Sequence, residues 1–222
     1  MSHIKAVFDP GEIEKCSLEI IDNEVAEPRP FTGRKWRVVR RMIHTTADFE
    51  LLSLVSFHPE AIRSGIEALK VGCLILTDTE MARMGITFKR MERLGCEVRC
   101  YINDPLVHEK ASDENRTRAA AAVDHAGFRL NGSICVIGNA PTALIRLLEI
   151  IKENDRYKPS LIVGMPVGFV NAPESKHLLL SQNQVPFITV RGRKGGSALA
   201  ASVVNELAEM ALEEKGECLT NV

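Results

Sequence analysis

Five short apolar runs, separated by helical patterns, constrain the fold of this chain more than any other feature. The runs are almost continuously apolar, which is typical of strands covered on both faces, as in a parallel sheet. Strands that alternate with helices indicate βαβ units with right-handed crossovers. We therefore predict an α/β fold, a three-layer α/β/α domain with a mainly parallel sheet of about five strands. The predicted strands cover residues 73–77, 97–102, 133–138, 160–164 and 186–190.

Helical patterns fill the intervals between the predicted strands. Proline near the first turn and glycine after the last mark several of their ends. The pattern over 79–94 places Met81, Met84, Phe88 and Met91 at helical spacing, and we interpret this stripe as core. The predicted helices cover 59–70, 79–94, 114–126, 141–153 and 196–214, and two further helices, 12–21 and 34–43, precede the first strand. Residues 1–222 are predicted to form a single domain.

Composition excludes several classes of protein. The net charge of −1 does not suggest a nucleic-acid partner, and the longest apolar runs are far shorter than a membrane span. The amino terminus lacks the pattern of a secretory signal, so a cytoplasmic location is expected. Six cysteines are present without a C-x-x-C pair, which argues against a zinc site or a disulfide framework and leaves no metal predicted. Cys73 and Cys135 lie in apolar runs and are predicted to be core residues.

Unusual residues follow every predicted strand, where ligands bind in open parallel sheets. Gly and Pro can simply form loops there, and the basic runs 34–41 and 191–194 can be solvated faces. Together, however, glycine-rich backbone and clustered arginines favour an anionic small ligand. The turn 192–197 is not G-x-G-x-x-G, and the chain has no phosphate-binding P-loop, so a nucleotide cofactor is poorly supported. The segments concerned are 77–81, 103–105, 138–142, 164–176 and 191–197.

His44 differs from the other five histidines because it ends a helical run rich in arginine and is followed by Thr45 and Thr46. A histidine at a helix end is commonly structural, and spacing alone does not distinguish that role from catalysis. Since histidine titrates near neutral pH, it is also suited to donating a proton to a carboxylate-rich substrate and retrieving it.

Five segments resemble one known family. The sequences VRRMIHTTAD, TDTEMARMGI, IGNAPTAL, GMPVGFVNAPESK and RGRKGGS are similar, in this order, to those of the precorrin-8X methylmutases, and the similarity extends over residues 11–207. The resemblance implies a Rossmann-like α/β/α fold and an isomerase of corrin-ring (cobalamin) biosynthesis. It implies migration of a methyl group from carbon 11 to carbon 12 of the macrocycle, without a cofactor. It further implies a homodimer that holds its tetrapyrrole substrate near the subunit interface.

The resemblance also assigns individual residues. His44 matches the catalytic histidine of the family, which protonates the ring, and Ser17 matches a serine that contacts substrate. Arg118 matches the arginine of a Thr-Arg motif and is expected to pair with a substrate carboxylate. Cys16 stands where the family commonly has Arg, and Ala119 where it often has Ser. The weaker candidates for holding the acetate and propionate arms are Ser175, Lys176, Arg193, Gly195, Gly196 and Ser197.

Two alternatives stay open from the sequence. A nucleotide-dependent α/β enzyme would bind NAD or S-adenosylmethionine, and the missing phosphate-loop patterns count against it. A non-catalytic tetrapyrrole carrier would keep the basic pocket but would not need His44. The sequence does not distinguish precorrin-8X from cobalt-precorrin-8 as the substrate, because the carboxylate-bearing ring is similar in both.

Overall fold

The computed structural model describes residues 9–217, in which six strands form one sheet between two layers of helices. The order across the sheet is β1-β6-β5-β4-β2-β3; β1 runs antiparallel to β6, and the other five strands are parallel. The predicted mainly parallel, three-layer α/β/α fold is confirmed, with one strand added at an edge. The strands are β1 (Val55–Phe57), β2 (Leu74–Thr77), β3 (Glu97–Cys100), β4 (Ile134–Ile137), β5 (Leu161–Gly164) and β6 (Phe187–Val190).

The helices of the described residues begin at recognisable caps. Asp9, Asp104 and Thr117 each accept a backbone N–H bond at the start of a helix, and the first two caps are followed by proline. The helices are α1 (Pro10–Glu24), α2 (Gly33–Thr46), α3 (Leu51–Leu54), α4 (Ala61–Lys70), α5 (Glu80–Gly85), α6 (Phe88–Leu94), α7 (Pro105–Asp113), α8 (Arg118–Ala126), α9 (Pro141–Glu153), α10 (Ala172–Ser181) and α11 (Ser197–Glu214).

Alternate residues of the strands face two separate cores. Ile75, Val136 and Val163 belong to the core that includes α2, α4, α6 and α11. Cys135 and Ile162 belong to the opposite core, which includes α8, α9 and α10. Both faces of the sheet are therefore covered, which is why the inner strands β2, β4, β5 and β6 have almost continuous apolar sequences. In the edge strand β3, Glu97 and Arg99 are exposed. Cys73 and Cys135 are buried, as predicted.

Three details of the helix prediction are wrong. The run 79–94 is broken at Ile86 and Thr87 into α5 and α6, since Thr87 caps a new helix. Its methionine stripe is not core: Met81, Met84 and Phe88 are exposed, and Met91 is buried. The two helices α7 and α10 were not predicted, because their proline-containing starts were interpreted as loops.

The connections define a switch point in the sheet. From β2 the chain crosses to β3 on one side, and from β3 it returns to β4 on the other side of β2. The loops after β2 and β4 therefore separate at the carboxyl edge of the sheet, which is where ligands bind in folds of this type. No helix within residues 9–217 has the length and apolar character needed to cross a membrane. His3 and Cys218 lie outside the described residues.

Candidate active site

His44 and Ser17, which are 27 residues apart in the sequence, contact each other in the folded chain. His44 lies in the last turn of α2, Ser17 lies in the middle of α1, and the Nδ1 atom of His44 is 3.0 Å from the Ser17 hydroxyl oxygen. Both side chains are half-buried, so the imidazole is fixed on one side and reachable on the other. Two residues that the resemblance linked to substrate are thus brought together.

Ion pairs between α2 and α11 position the histidine relative to the sheet. Arg34 bonds Glu214 near the end of α11, and Arg41 bonds Glu206 one turn before His44. The two helices therefore run antiparallel, and His44 lies towards the start of α11. Beyond the histidine, Lys194 donates to the Asp48 carboxylate at 2.5 Å. This contact joins the end of α2 to the turn that follows β6, at the carboxyl edge of the sheet.

The arginine cluster of α2 does not provide the free positive surface that the sequence suggested. Arg37 and Arg41 both donate to Glu206, and Arg40 donates to Asp22. Arg41 also donates to Glu14; although burial acts to raise it, the pKa of the Glu14 carboxyl is lowered overall by Arg41 and by the nearby His44. The charges of this cluster are balanced within the chain, so it stabilises helix packing.

The glycine-rich turn before α11 is packed against neighbouring backbone. A Cβ atom on Gly195 would lie 2.1 Å from the Met165 carbonyl oxygen, so any side chain there would collide with the loop after β5. Gly196 has φ of 130°, a backbone conformation that favours glycine, and its N–H donates to Met165. The hydroxyl oxygens of Ser197 and Thr79 are 2.8 Å apart, which joins the starts of α11 and α5.

Ser175 and Lys176 are neighbours on α10, and Lys176 holds this turn. Both are fully buried, Ser175 donates to the Ala172 carbonyl within α10, and the Lys176 ammonium donates to the Lys194 carbonyl at 2.7 Å. Burial lowers the pKa of Lys176 to about 8. Arg193, by contrast, is exposed, and its guanidinium carbon lies 5.1 Å from the centre of the Phe169 ring. The lysine is thus placed to hold the turn, and the Arg193 guanidinium is open to solvent beside Phe169.

Asp78 occupies the position at which a nucleotide-binding fold would receive a phosphate. It follows β2 at the switch point and accepts N–H bonds from Gly138, Asn139 and Ala140, at 2.7 to 3.0 Å, ahead of α9. Burial raises the pKa of the Asp78 carboxyl, against the effect of these three donors. Because a carboxylate of the chain already fills this anion cradle, a dinucleotide phosphate has no place there.

Arg118 lies on the other side of the sheet from His44. It begins α8, which packs in the core opposite to that of α2, and its guanidinium is 3.3 Å from the Nε2 atom of His108. Arg118 thus pairs with His108, whereas His44 and Ser17 bond each other. The fold therefore groups the predicted residues into a His44–Ser17 pair, the turn at 193–197 and a separate arginine.

Sequence reasoning missed two polar residues of this edge. Asp78 and Thr79 follow β2 directly, and both hold other loops in place. Their position after a strand was noticed, but their partners lie about 60 and 118 residues further on, and only the fold shows them. Among the residues that the structure describes, no group of three or more His, Cys, Asp or Glu side chains is arranged to hold a metal ion.

Comparison with known proteins decides the family. The family model for precorrin-8X methylmutase matches residues 12–210. The chain belongs to the precorrin-8X methylmutase family. It is 45% identical over 202 residues to the cobalt-precorrin-8 methylmutase of Leptospira interrogans, covering 88% of this chain and 91% of that protein. It is 44% identical over 202 residues to the cobalt-precorrin-8 methylmutase of Priestia megaterium, covering 91% of this chain and 88% of that protein.

A solved structure of the family has the same fold. The precorrin-8X methylmutase of Thermus thermophilus superposes with a TM-score of 0.85 and is 40% identical, covering 95% of this chain and 100% of that one. Members of the family are methylmutases, isomerases that catalyse methyl migration. Two positions depart from the pattern expected for the family: Cys16 is exposed next to Ser17, and Ala119 is buried behind Arg118.

Proposed function

We propose that this chain isomerises precorrin-8X, or its cobalt-containing equivalent, by moving a methyl group from carbon 11 to carbon 12 of the ring, with His44 as proton donor and acceptor. The product is hydrogenobyrinate or the corresponding cobyrinate. This reaction is assigned from one observation above all: His44 is fixed by Ser17 at the carboxyl edge of a methylmutase fold. A cytoplasmic location and a single domain over residues 1–222 stay predictions.

The hydrogen bond to Ser17 determines which nitrogen of His44 reacts. When the imidazole is protonated, Nδ1–H donates to the Ser17 hydroxyl oxygen at 3.0 Å, and we assign proton transfer to Nε2. Protonation of a ring nitrogen of the substrate makes the conjugated system electron-poor and lowers the barrier to methyl migration. The Nε2 lone pair then retrieves the proton and restores conjugation. The reaction is an isomerisation, so no atoms are gained or lost and its balance requires no cofactor.

General acid catalysis of this kind contributes about 10²- to 10⁴-fold to the rate. Holding a rigid macrocycle in one orientation contributes further, because the migrating carbon must lie next to its acceptor. We assign this binding to Arg193 and to the first turn of α11, which begins at Ser197, since exposed cations and helix starts both attract carboxylates. Gly195 and Lys176 keep this turn in position from within the fold, and Ser175 is bonded within α10 beside Lys176.

We further propose that the active unit is a homodimer whose substrate lies near the subunit interface. Within one chain Arg118 and His44 lie in helix layers on opposite faces of the sheet, and in the proposed dimer the Arg118 of the second copy meets the substrate held at His44. An exposed apolar surface, formed by Met81, Met84 and Phe88 and called the α5–α6 patch below, supports association. The patch is linked to the proposed site, because Thr79, which precedes α5, bonds Ser197 at the start of α11.

The proposed reaction is tested by incubating the protein separately with precorrin-8X and cobalt-precorrin-8 and following the visible absorption spectrum. Wild type is expected to convert at least one of them without added cofactor. The variant His44→Asn is expected to lose about 100-fold or more in kcat with a small change in KM. In Ser17→Ala kcat should fall less, about 3- to 10-fold, and Ser17→Thr should restore it, because one neutral hydrogen bond is lost and regained.

His177→Asn serves as the matched control, because His177 is exposed on α10 and outside the site, and it should turn over at the wild-type rate. If wild type binds the tetrapyrrole but the spectrum never changes, the chain is a carrier and not an isomerase. If His44→Asn is as fast as wild type, the histidine mechanism is wrong even where the isomerase assignment holds.

A further inference from the structure

Cys73 and Cys96 lie side by side at the amino ends of two neighbouring parallel strands. Cys73 precedes β2 and Cys96 precedes β3, and the register pairs Leu74 with Glu97. One residue earlier in each strand, the two cysteines therefore stand opposite each other. Neighbouring strands are about 4.8 Å apart, which falls within the Cα separations of disulfide bonds, about 4.4 to 6.8 Å.

The two side chains also point to the same face of the sheet. Cys73 belongs to the core that contains α11, and Cys96 packs against that core. The turns that precede them touch, since a Cβ atom on Gly72 would lie 2.9 Å from the Gly95 carbonyl oxygen. The two thiols are close enough for each to shift the pKa of the other, and the Cys96 thiol donates to the Leu69 carbonyl oxygen at 3.4 Å.

The environments of the two thiols suit different roles: one cysteine would attack an oxidant, and the other would then form the disulfide with it. The hydrogen bond from Cys73, helped by the charge of Lys215 and opposed by burial, lowers the pKa of the Cys96 thiol. The same hydrogen bond, followed by burial, raises the pKa of the Cys73 thiol. Cys96 is half-buried and within reach of a small reagent, whereas Cys73 is buried behind it. The thiolate is the reactive form, so oxidation should start at Cys96.

We propose that Cys73 and Cys96 form a peroxide-reactive dithiol that closes reversibly into a disulfide joining β2 to β3. In the first step the Cys96 thiolate attacks a hydroperoxide; an S–O bond forms, the O–O bond breaks, and the leaving hydroxide takes up a proton to give water. In the second step the Cys73 sulfur attacks the Cys96 sulfenic acid; the S–S bond forms, the S–O bond breaks, and hydroxide leaves with the Cys73 proton as a second water. Two thiols are oxidised and one peroxide is reduced.

This modification site is separate from the proposed active site. It lies at the amino edge of the sheet, whereas His44 and the turn before α11 lie at the carboxyl edge. The bridge would enclose β2, α5 and α6 in one covalent loop, which restricts the unfolded chain more than the folded one. Oxidation should therefore raise the melting temperature by a few °C.

The test treats the folded, reduced protein with one equivalent of hydrogen peroxide, alkylates the remaining thiols with iodoacetamide and digests with trypsin. Cleavage after Lys70, Arg83, Arg93 and Arg99 releases Cys73 in the peptide 71–83 and Cys96 in the peptide 94–99. We expect these two peptides to be recovered as one linked species, lighter by two hydrogens than their sum. Reduction with dithiothreitol should separate them and return the melting temperature to its starting value.

Matched variants make the outcome specific. Cys73→Ser should abolish the linked species and leave Cys96 as an accumulating sulfenic or sulfinic acid, while Cys96→Ser should leave Cys73 unmodified. Cys16→Ser removes an exposed cysteine elsewhere and should form the link as wild type does. Alkylation of both peptides after peroxide treatment, or a link from either one to Cys100 or Cys135 instead, would overturn the proposal. The wild-type digest decides this even if a cysteine variant fails to fold.

Discussion

Lys176 places an ammonium group in a position that is only 1% exposed to solvent. Its amine donates to the Lys194 carbonyl, which belongs to the turn that carries Arg193 and Gly195. Burial disfavours the charged form, and the pKa of Lys176 falls from 10.5 to about 8. This one residue should therefore make a contribution to the free energy of unfolding that depends on pH.

Between pH 8 and pH 10.5 the unfolded chain keeps the Lys176 proton that the folded chain has released. The unfolded state then binds more protons, so the free energy of unfolding rises with pH in this window, by at most about 3 kcal/mol from this residue. In Lys176→Met the rise is lost. Urea unfolding of both proteins at several pH values across the window measures the difference, which should grow in favour of wild type as pH increases.

Lys89→Met provides the control, because Lys89 is exposed on α6 and its removal should leave the wild-type dependence on pH unchanged. Parallel curves for wild type and Lys176→Met would show that the buried amine keeps its proton throughout the window, contrary to this prediction.

At the residue scale, the sequence named candidate site residues but did not show which residues they contact. His44 and Ser17 were both named from the family resemblance, but their hydrogen bond depends on how α1 packs on α2. The arginines of α2 were visible as a cluster, yet the glutamates that neutralise them lie on α11, more than 160 residues later. Local sequence does not show such partners, because charge balance is settled by tertiary packing.

At the scale of elements, the contact between α2 and α11 supports the candidate site. Val38, Val39 and Met42 bury the apolar side of α2 against the core that contains α11. On the polar side, Glu206 is 4% exposed and accepts from both Arg37 and Arg41. The carboxylate thus compensates two guanidinium groups at the place where α2 turns towards His44. A buried charge of this kind is costly to leave unpaired.

Glu206→Gln should destabilise the fold by about 3 kcal/mol, because one carboxylate oxygen becomes an N–H₂ group that faces an arginine donor. Glu213→Gln is the matched control on the same helix. It also bonds Arg37, but its side chain is 45% exposed, so its loss should cost less than about 1 kcal/mol. Urea unfolding followed by circular dichroism measures both values. Equal, small losses in the two variants would contradict a structural role for the buried network.

The predicted elements show where sequence patterns are informative. Four of the five parallel strands were found because burial on both faces gives them continuous apolar sequences, whereas the edge strand β3, Glu-Val-Arg-Cys, alternates exposed and half-buried residues. The edge strand β1 was missed, since three residues, Val-Ser-Phe, carry too little pattern and pair on one side. Likewise α10 begins at Asn171-Ala-Pro, after a glycine-containing loop, and its start resembles the loop before it. The methionine stripe of 79–94 was misplaced because helical spacing shows which residues share a face and not what covers that face.

At the scale of the whole molecule, the fold places His44 and Arg118 in different helix layers. The helices α2, α5 and α11 pack on one face of the sheet and α8 on the other. His44 therefore shares a face with the α5–α6 patch, whereas Arg118 is separated from both by the strands. A two-fold dimer brings the same surface of two copies together, and this would allow one chain to complete the site of its partner.

We expect the protein to be a dimer in solution and the α5–α6 patch to contribute to its interface. The double variant Met81→Glu, Met84→Glu places two carboxylates on this patch, where burial against a partner would cost several kcal/mol. It should shift the mass seen by sedimentation velocity from dimer to monomer and reduce kcat strongly at low protein concentration, with partial recovery at high concentration.

Val71→Glu, exposed at the opposite edge of the sheet, should remain dimeric and active. Retention of a dimer by the double variant would place the interface elsewhere, and a monomeric, fully active wild type would remove the need for a partner's arginine.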